Sequence, residues 1–102
     1  MRTDDMRELC DRVLGCTMDD YLNDTGEVFR PFTNAMQAMA LVEAMRAAGW
    51  AFDTAARDKY WVARFYAKDD DGPLGDVHVT QIGKTFCEAV CNAALAAVRS
   101  KP

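Results

Sequence analysis

The chain has 102 residues, of which 50% are hydrophobic and 27% are charged, and its formal net charge at pH 7 is −4. This size and balance predict one globular domain over residues 1–102 and argue against disorder. The acidic excess argues against non-specific nucleic-acid binding, which requires a positively charged surface. No apolar run approaches the roughly 20 residues that cross a bilayer, and the first residues lack a signal-peptide core, so we expect a cytoplasmic protein.

Two helices are predicted in the N-terminal half. The first covers about residues 4–14, where the apolar side chains recur at the spacing of one buried stripe. The second begins near Asn34, whose spacing to Gln37 matches a capping box, and ends before Gly49. Residues 16–31 between them show no clear period, so a strand, an ordered loop and a segment that folds on a partner all stay open.

Three strands and a last helix are predicted in the C-terminal half. The apolar period changes to two, which predicts strands at residues 50–54, 60–67 and 76–82. A short polar connection joins the first two strands as an antiparallel hairpin, and the last helix covers about Phe86 to Arg99. The order α-α-β-β-β-α therefore predicts an α+β fold, with a three-stranded antiparallel sheet between helices in alpha-beta-alpha layers.

The segment Gly83-Lys84-Thr85 resembles the end of a phosphate-binding loop, G-x-x-x-x-G-K-[ST]. The first glycine of that loop would fall at position 78, which is His78, and histidine lacks the backbone freedom that the turn requires. We therefore interpret Thr85-x-x-Glu88 as the capping box of the last helix. A weaker alternative is an anion held at this helix start by Lys84 and Thr85.

The middle strand carries the most informative pattern. One face is apolar, and we expect the last two helices to pack on it. The other face carries the aromatic and basic side chains of the candidate site, together with a histidine from the third strand: Tyr60, Arg64, Tyr66, Lys68 and His78. Either the first helix or a second protomer covers this face, or it is open and binds a nucleotide or single-stranded nucleic acid by stacking and phosphate contacts.

The second predicted helix has an unusually wide apolar face, which includes Met36 and Met39. We interpret it as packed within its own domain; the alternative is a methionine-rich contact for a partner protein. The same face could also join two copies of the chain as a structural homodimer.

The residue types needed for metal, cofactor or nucleophilic chemistry are few. The four cysteines, at positions 10, 16, 87 and 91, include no C-x-x-C pair, and Cys87 and Cys91 share an apolar helix face. We expect buried free thiols rather than a zinc site or disulfides. Residues 68–75 contain three contiguous aspartates, which lack the spacing of a calcium loop. The only histidine is His78. Hence no metal, no cofactor and no enzyme activity is predicted.

Three segments resemble a family of small bacteriophage proteins: ELCDRVLGC, RPFTNAMQAMALVEAMRAAGW and KTFCEAVCNAALAAV, with YWVARFY fitting the strand between them. The chain is similar to the phage ABA sandwich domain family over most of residues 8–98. It departs from the family in the segment CTMDDYLNDTGEVFR, because family members commonly have tryptophan in this region and this chain has none there. The resemblance implies an alpha-beta-alpha layered domain, and a phage or prophage protein expressed in the cytoplasm of a bacterial host. It supplies no catalytic or ligand residues.

The expected function is that of a non-enzymatic phage accessory protein that acts by binding a host protein or complex, with counter-defence as one version. The alternatives are the nucleotide or single-strand binder described above and a structural homodimer.

Overall fold

The computed structural model describes residues 2–67 and 77–100. The described helices are α1, Thr3–Leu9, which continues as a π-helical segment over Cys10–Leu14; α2, Met18–Thr25; α3, Ala35–Ala47; and α4, Phe86–Ser100. The strands are β1, Ala51–Ala56; β2, Trp61–Ala67; and β3, Val77–Gly83. They form an antiparallel sheet in the order β1-β2-β3. The α+β class, the antiparallel sheet and the order of the predicted elements are confirmed, and α2 is an additional helix.

The inner face of the sheet follows the predicted alternation. Ala63, Phe65 and Ala67 of β2 are buried, and the ring of Phe52 on β1 lies 5.0 Å from that of Phe65. Helix α4 packs on β2 and β3, while α3 packs on α4 and on β1. The apolar sides of strands and helices therefore meet in one core.

The predicted cap at the start of α4 is confirmed. The backbone N–H of Glu88 donates to Oγ1 of Thr85 at 3.1 Å, and the N–H of Thr85 donates to Oε2 of Glu88 at 3.1 Å. These two bonds satisfy donors that a helix start otherwise leaves free. The segment that resembles a phosphate-binding loop is thus the junction between β3 and α4.

The first helix does not cover the outer face of the sheet, so that alternative is wrong, whereas cover by a second protomer stays a prediction. Helix α1 packs on α4, and the π-helical segment after it packs on α3. Ion pairs from Arg99 to Asp5 and Glu8 join the two ends of the chain at 2.9 and 3.0 Å. The physical reason lies in α4, whose buried face is wider than the sheet alone can cover, so part of that face needs cover on the side away from the sheet.

The segment between the first two predicted helices is ordered. Thr17 caps α2 by accepting from the N–H of Asp20 at 3.0 Å, and Gly26 ends the helix with φ 75°. No described residue of α2 is fully buried, but Met18 and Tyr21 lie three residues apart on one side of the helix and pack against the core. After it, Phe29 enters the core and meets Tyr21 edge to face at 5.1 Å.

Gln37 holds the chain that leads into α3. Its backbone N–H donates to Oδ1 of Asn34 at 3.1 Å, which is one half of the predicted capping box. Its side-chain amide does not return to Asn34; the Nε2 donates to the carbonyl of Val28 at 2.8 Å, and Oε1 accepts from the N–H of Arg30. The buried amide thus serves in place of a strand partner for residues 28–30.

Candidate functional site

The outer face of the sheet lies on the side of the strands opposite the core. Three cross-strand rows build it, and the register gives the rows as Ala51, Tyr66 and His78, then Asp53, Arg64 and Thr80, then Ala55, Val62 and Ile82. We call these nine residues the outer sheet face. None of the described helices lies over them, and their side chains range from half-buried to exposed.

Four side chains at one end of this face form a connected group, which we call the outer cluster: Asp53, Arg64, Tyr66 and His78. The Nε of Arg64 donates to Oδ2 of Asp53 at 3.1 Å, and Nη2 donates to the same oxygen. The guanidinium carbon of Arg64 lies 5.1 Å from the centre of the Tyr66 ring. The rings of Tyr66 and His78 stack with centres 5.7 Å apart and planes 19° apart.

The outer cluster is close to neutral because its cation and its anion are paired. The hydrogen bonds that Arg64 donates to Asp53, followed by the charge of Asp53, raise the pKa of the Arg64 guanidinium, which therefore stays charged. A phosphate that bound Arg64 would be repelled by the Asp53 carboxylate beside it. The Tyr66 ring already contacts a cation and a second ring. The cluster therefore presents to a ligand the faces of two aromatic rings and one ion pair.

Two of the predicted site residues do not join this cluster. Tyr60 precedes β2 and is 41% exposed, and its carbonyl accepts from the N–H of Arg57 at 2.8 Å in the hairpin connection. Six residues of extended chain separate it from Tyr66, which corresponds to roughly 20 Å. Lys68 lies outside the described residues. The structure therefore brings together Arg64, Tyr66 and His78.

Asp53 belongs to the cluster although the sequence pattern did not single it out. It faces Arg64 directly across the hairpin. Opposite charges at directly paired positions attract each other, so the hairpin register was the signal that could have identified it. The boundaries of two strands do not settle that register, because a shift of one residue reverses the faces.

The other end of the outer sheet face is apolar. Ile82 of β3 is 58% exposed, and Val62 and Ala55 lie beside it in the same cross-strand row. The backbone carbonyl of Ile82 accepts from Nδ2 of Asn92 at 3.1 Å, which ties this end of the strand to α4. A polar, aromatic end and an aliphatic end thus share one fixed surface.

The remaining predicted sites are accessible but lie elsewhere. Met36 is 83% exposed and Met39 is 42% exposed on α3, so this helix face has an open side. Lys84 is exposed beside Thr85, whose hydroxyl and N–H are both used in the cap of α4. A partner at the methionines and an anion at Lys84 and Thr85 stay predictions.

A groove of about 700 Å³ lies between the first helix and the start of α2, away from the outer sheet face. Side chains of both charges line it, among them Arg7, Asp11 and Arg12, with Met18 as an apolar member. Over the described parts of the chain, no group of three or more His, Cys, Asp or Glu is arranged to hold a metal ion. Nor is any described helix long and apolar enough to cross a membrane.

The model of the phage ABA sandwich domain matches residues 9–95. Comparisons with curated proteins and with solved structures found no match. The matched range contains all three strands, the outer cluster and most of α4. This match covers most of the chain, and it shows that the protein belongs to the phage ABA sandwich domain family.

Proposed function

We propose that this small phage protein acts by binding, and that its outer sheet face holds a host protein. The observation that supports the proposal is the uncovered face itself, on which exposed Ile82 lies beside half-buried Val62 at one end and the outer cluster occupies the other. Aromatic and arginine side chains are among the types enriched where proteins meet, and exposed Ile82 adds apolar area to this surface.

The electrostatics favour a protein over a nucleic acid as the partner. Arg64 is paired with Asp53, so the outer cluster offers little net positive charge to a phosphate backbone. The chain as a whole carries a formal charge of −4. A small acidic protein can instead complement a basic host surface, including a nucleic-acid cleft of a bacterial defence complex, and counter-defence is one form of this proposal.

Capture from a host lysate with matched variants tests the proposal. Tagged protein is immobilised, and captured host proteins are compared for the wild type, for Ile82→Asp and for Met36→Asp. Both substitutions place a charge on an exposed apolar position, but only Ile82 lies on the outer sheet face. We expect a captured protein that Ile82→Asp loses and Met36→Asp keeps. The reverse result would move the interface to α3, and capture of nothing specific would contradict the proposal.

The nucleic-acid alternative retains one specific observation, the exposed His78 stacked on Tyr66. If a base stacks there, short oligonucleotides bind with an affinity that falls as salt increases and that Arg64→Ala weakens. Arg46→Ala is the matched control, because Arg46 also shares an exposed ion pair, with Glu43 at 3.3 Å, but on α3. Equal loss in both variants would indicate a general charge effect and no site.

If the chain forms a homodimer, the fraction of dimer increases with protein concentration. Light scattering over a range of protein concentrations separates a monomer from a dimer. A dimer that Ile82→Asp dissociates would assign the outer sheet face to a second copy instead of a host protein.

A further inference from the structure

Two cysteine side chains meet at the end of the first helix. Cys10 begins the π-helical segment and is fully buried, whereas Cys16 precedes the cap of α2 and is half-buried. Their Sγ atoms lie 3.8 Å apart, and all four cysteines of the chain are free thiols. The spacing C-x5-C matches no common disulfide or metal motif, so the pairing arises from the fold.

A left-handed glycine turn produces this approach. Gly15 has φ 74°, and its N–H donates to the carbonyl of Asp11 at 3.1 Å. The N–H of Cys16 then reaches the carbonyl of Cys10 at 3.4 Å. The first of these bonds is the one that closes many helix ends, and the second sets the backbones of the two cysteines side by side.

We propose that Cys10 and Cys16 form a redox pair, which closes to an intramolecular disulfide when a small disulfide oxidant such as oxidised glutathione reaches Cys16. A disulfide has a sulfur–sulfur distance of about 2.05 Å, so the two atoms must approach by roughly 1.8 Å. Rotation of the side chains can supply that approach, because the turn already holds the two residues adjacent.

The reaction is a pair of thiol–disulfide exchanges. The thiolate of Cys16 attacks one sulfur of oxidised glutathione, a mixed disulfide forms, and the first glutathione thiolate leaves. The thiolate of Cys10 then attacks Sγ of Cys16; the Cys10–Cys16 bond forms, and the second glutathione thiolate leaves. The two protons lost by the cysteines end on the two glutathione thiols, and two electrons pass from the protein to the oxidant.

The unequal exposure of the two thiols indicates which of them reacts first. Cys16 is the accessible thiol and reacts with the oxidant. Cys10 reacts only with the sulfur of Cys16, and because the fold holds the two sulfurs close together, this step is fast without a high concentration of either group. Burial, followed by the hydrogen bond with Cys16, raises the pKa of the Cys10 thiol to about 12. The Cys10 thiol is therefore protonated at neutral pH and does not react directly with the oxidant. Cys87 and Cys91 are both buried in α4 and have no accessible member.

Closure would change the attachment of α2. Cys10 belongs to the core, and Cys16 directly precedes Thr17, the cap of α2. Met18 and Tyr21 of α2 pack against the core but are only partly buried, so the turn at residues 15–17 also determines where the helix lies. A disulfide would link that turn covalently to the core, beside the groove between α1 and α2.

Mass spectrometry of the whole chain tests the proposal. The folded protein is incubated with oxidised glutathione, quenched with acid, unfolded and alkylated. We expect a product that lacks two thiol hydrogens and carries alkyl groups only on Cys87 and Cys91, with a peptide map that links Cys10 to Cys16. Cys16→Ser, confirmed as folded by circular dichroism, should not form it, whereas Cys87→Ala should.

Three outcomes would overturn the proposal. The first is a lasting glutathione adduct on Cys16 with Cys10 alkylated. The second is a bond between other cysteines or between two chains. The third is alkylation of all four thiols after prolonged exposure to the oxidant.

Discussion

Gly83 ends β3 at the point where the chain turns into α4. A Cβ atom at this position would lie 2.4 Å from the backbone nitrogen of Ala89 and 2.7 Å from Cβ of Glu88. Because the nearest atom belongs to the backbone of α4, it cannot rotate aside. We expect Gly83→Ala to lower the free energy of unfolding by about 2–3 kcal/mol, as measured by urea denaturation.

Gly26→Ala is the matched control for that substitution. Gly26 has φ 75° and open space around the position of its missing Cβ, so alanine there meets backbone strain but no clash. The strain of a left-handed residue costs about 1–2 kcal/mol. A loss at Gly83 no larger than the loss at Gly26 would contradict the close approach of β3 and α4.

Gln37 provides a second prediction at the scale of single residues. It is buried, and its amide satisfies the backbone carbonyl of Val28 and the N–H of Arg30. Gln37→Ala leaves both groups without that partner, and we expect a loss of about 2 kcal/mol, with faster hydrogen exchange confined first to residues 28–30. Asn34→Ala removes only the cap bond to the same residue. Equal exchange rates at residues 28–30 in both variants would argue against the role of the amide.

At the scale of elements, carboxylates of α1 and the last turn of α4 are joined by ion pairs. The hydrogen bond from Arg99 lowers the pKa of Glu8 from 4.5, against a smaller effect of burial, and Arg12 adds to the lowering. The folded state therefore favours the carboxylate. This stabilisation is present above pH 4.5, where the unfolded chain is also ionised, and is lost as the pH falls through the lowered folded pKa.

Thermal unfolding between about pH 6 and pH 3 measures this contribution. We expect Glu8→Gln to lower the unfolding temperature at the upper end of the range and to converge with the wild type at the lower end. Glu43→Gln is the control, since Glu43 forms an exposed pair within α3 alone. If the unfolding temperatures of Glu8→Gln and the wild type differ by the same amount at every pH, the ion pairs between the two helices do not contribute to stability.

The elements that the sequence predicted well are those with one clear period. The strand alternation of β2 and the capping box of α4 are local signals, and both are confirmed. Helix α2 was missed because it is only eight residues long, and its three apolar residues, Met18, Tyr21 and Leu22, are too few to establish a clear period. The predicted position of the first helix was wrong. Its apolar stripe indicates that one side of the helix is buried, but it does not indicate which element covers that side. The choice depends on α4, whose buried face is wider than the sheet can cover, and that width becomes known only from the folded structure.

The same limit applies to the candidate site. Alternation along β2 assigned Arg64 and Tyr66 to one face, and the structure agrees. The pairing of Arg64 with Asp53 depends on the register of two strands, which no pattern within one strand contains. That pairing matters most at the scale of the whole molecule, because it turns an apparently basic face into a nearly neutral one.

At that largest scale, stability and binding should depend on opposite faces of one sheet. Phe65 is fully buried on the inner face, whereas Ile82 is largely exposed on the outer face. We expect Phe65→Ala to lower the free energy of unfolding by about 3–5 kcal/mol. Ile82→Asp should leave it within about 0.5 kcal/mol while abolishing capture of the proposed host partner.

Parallel measurements on the two variants separate these roles. Urea denaturation gives the stability of each, and capture is compared at a temperature where both remain folded. If folded Phe65→Ala retains the partner and Ile82→Asp does not, the binding surface is the outer one and the core only supports it. If Ile82→Asp is instead as destabilised as Phe65→Ala, the outer face is itself part of the packed structure, and a sheet open on that side is the wrong description of this domain.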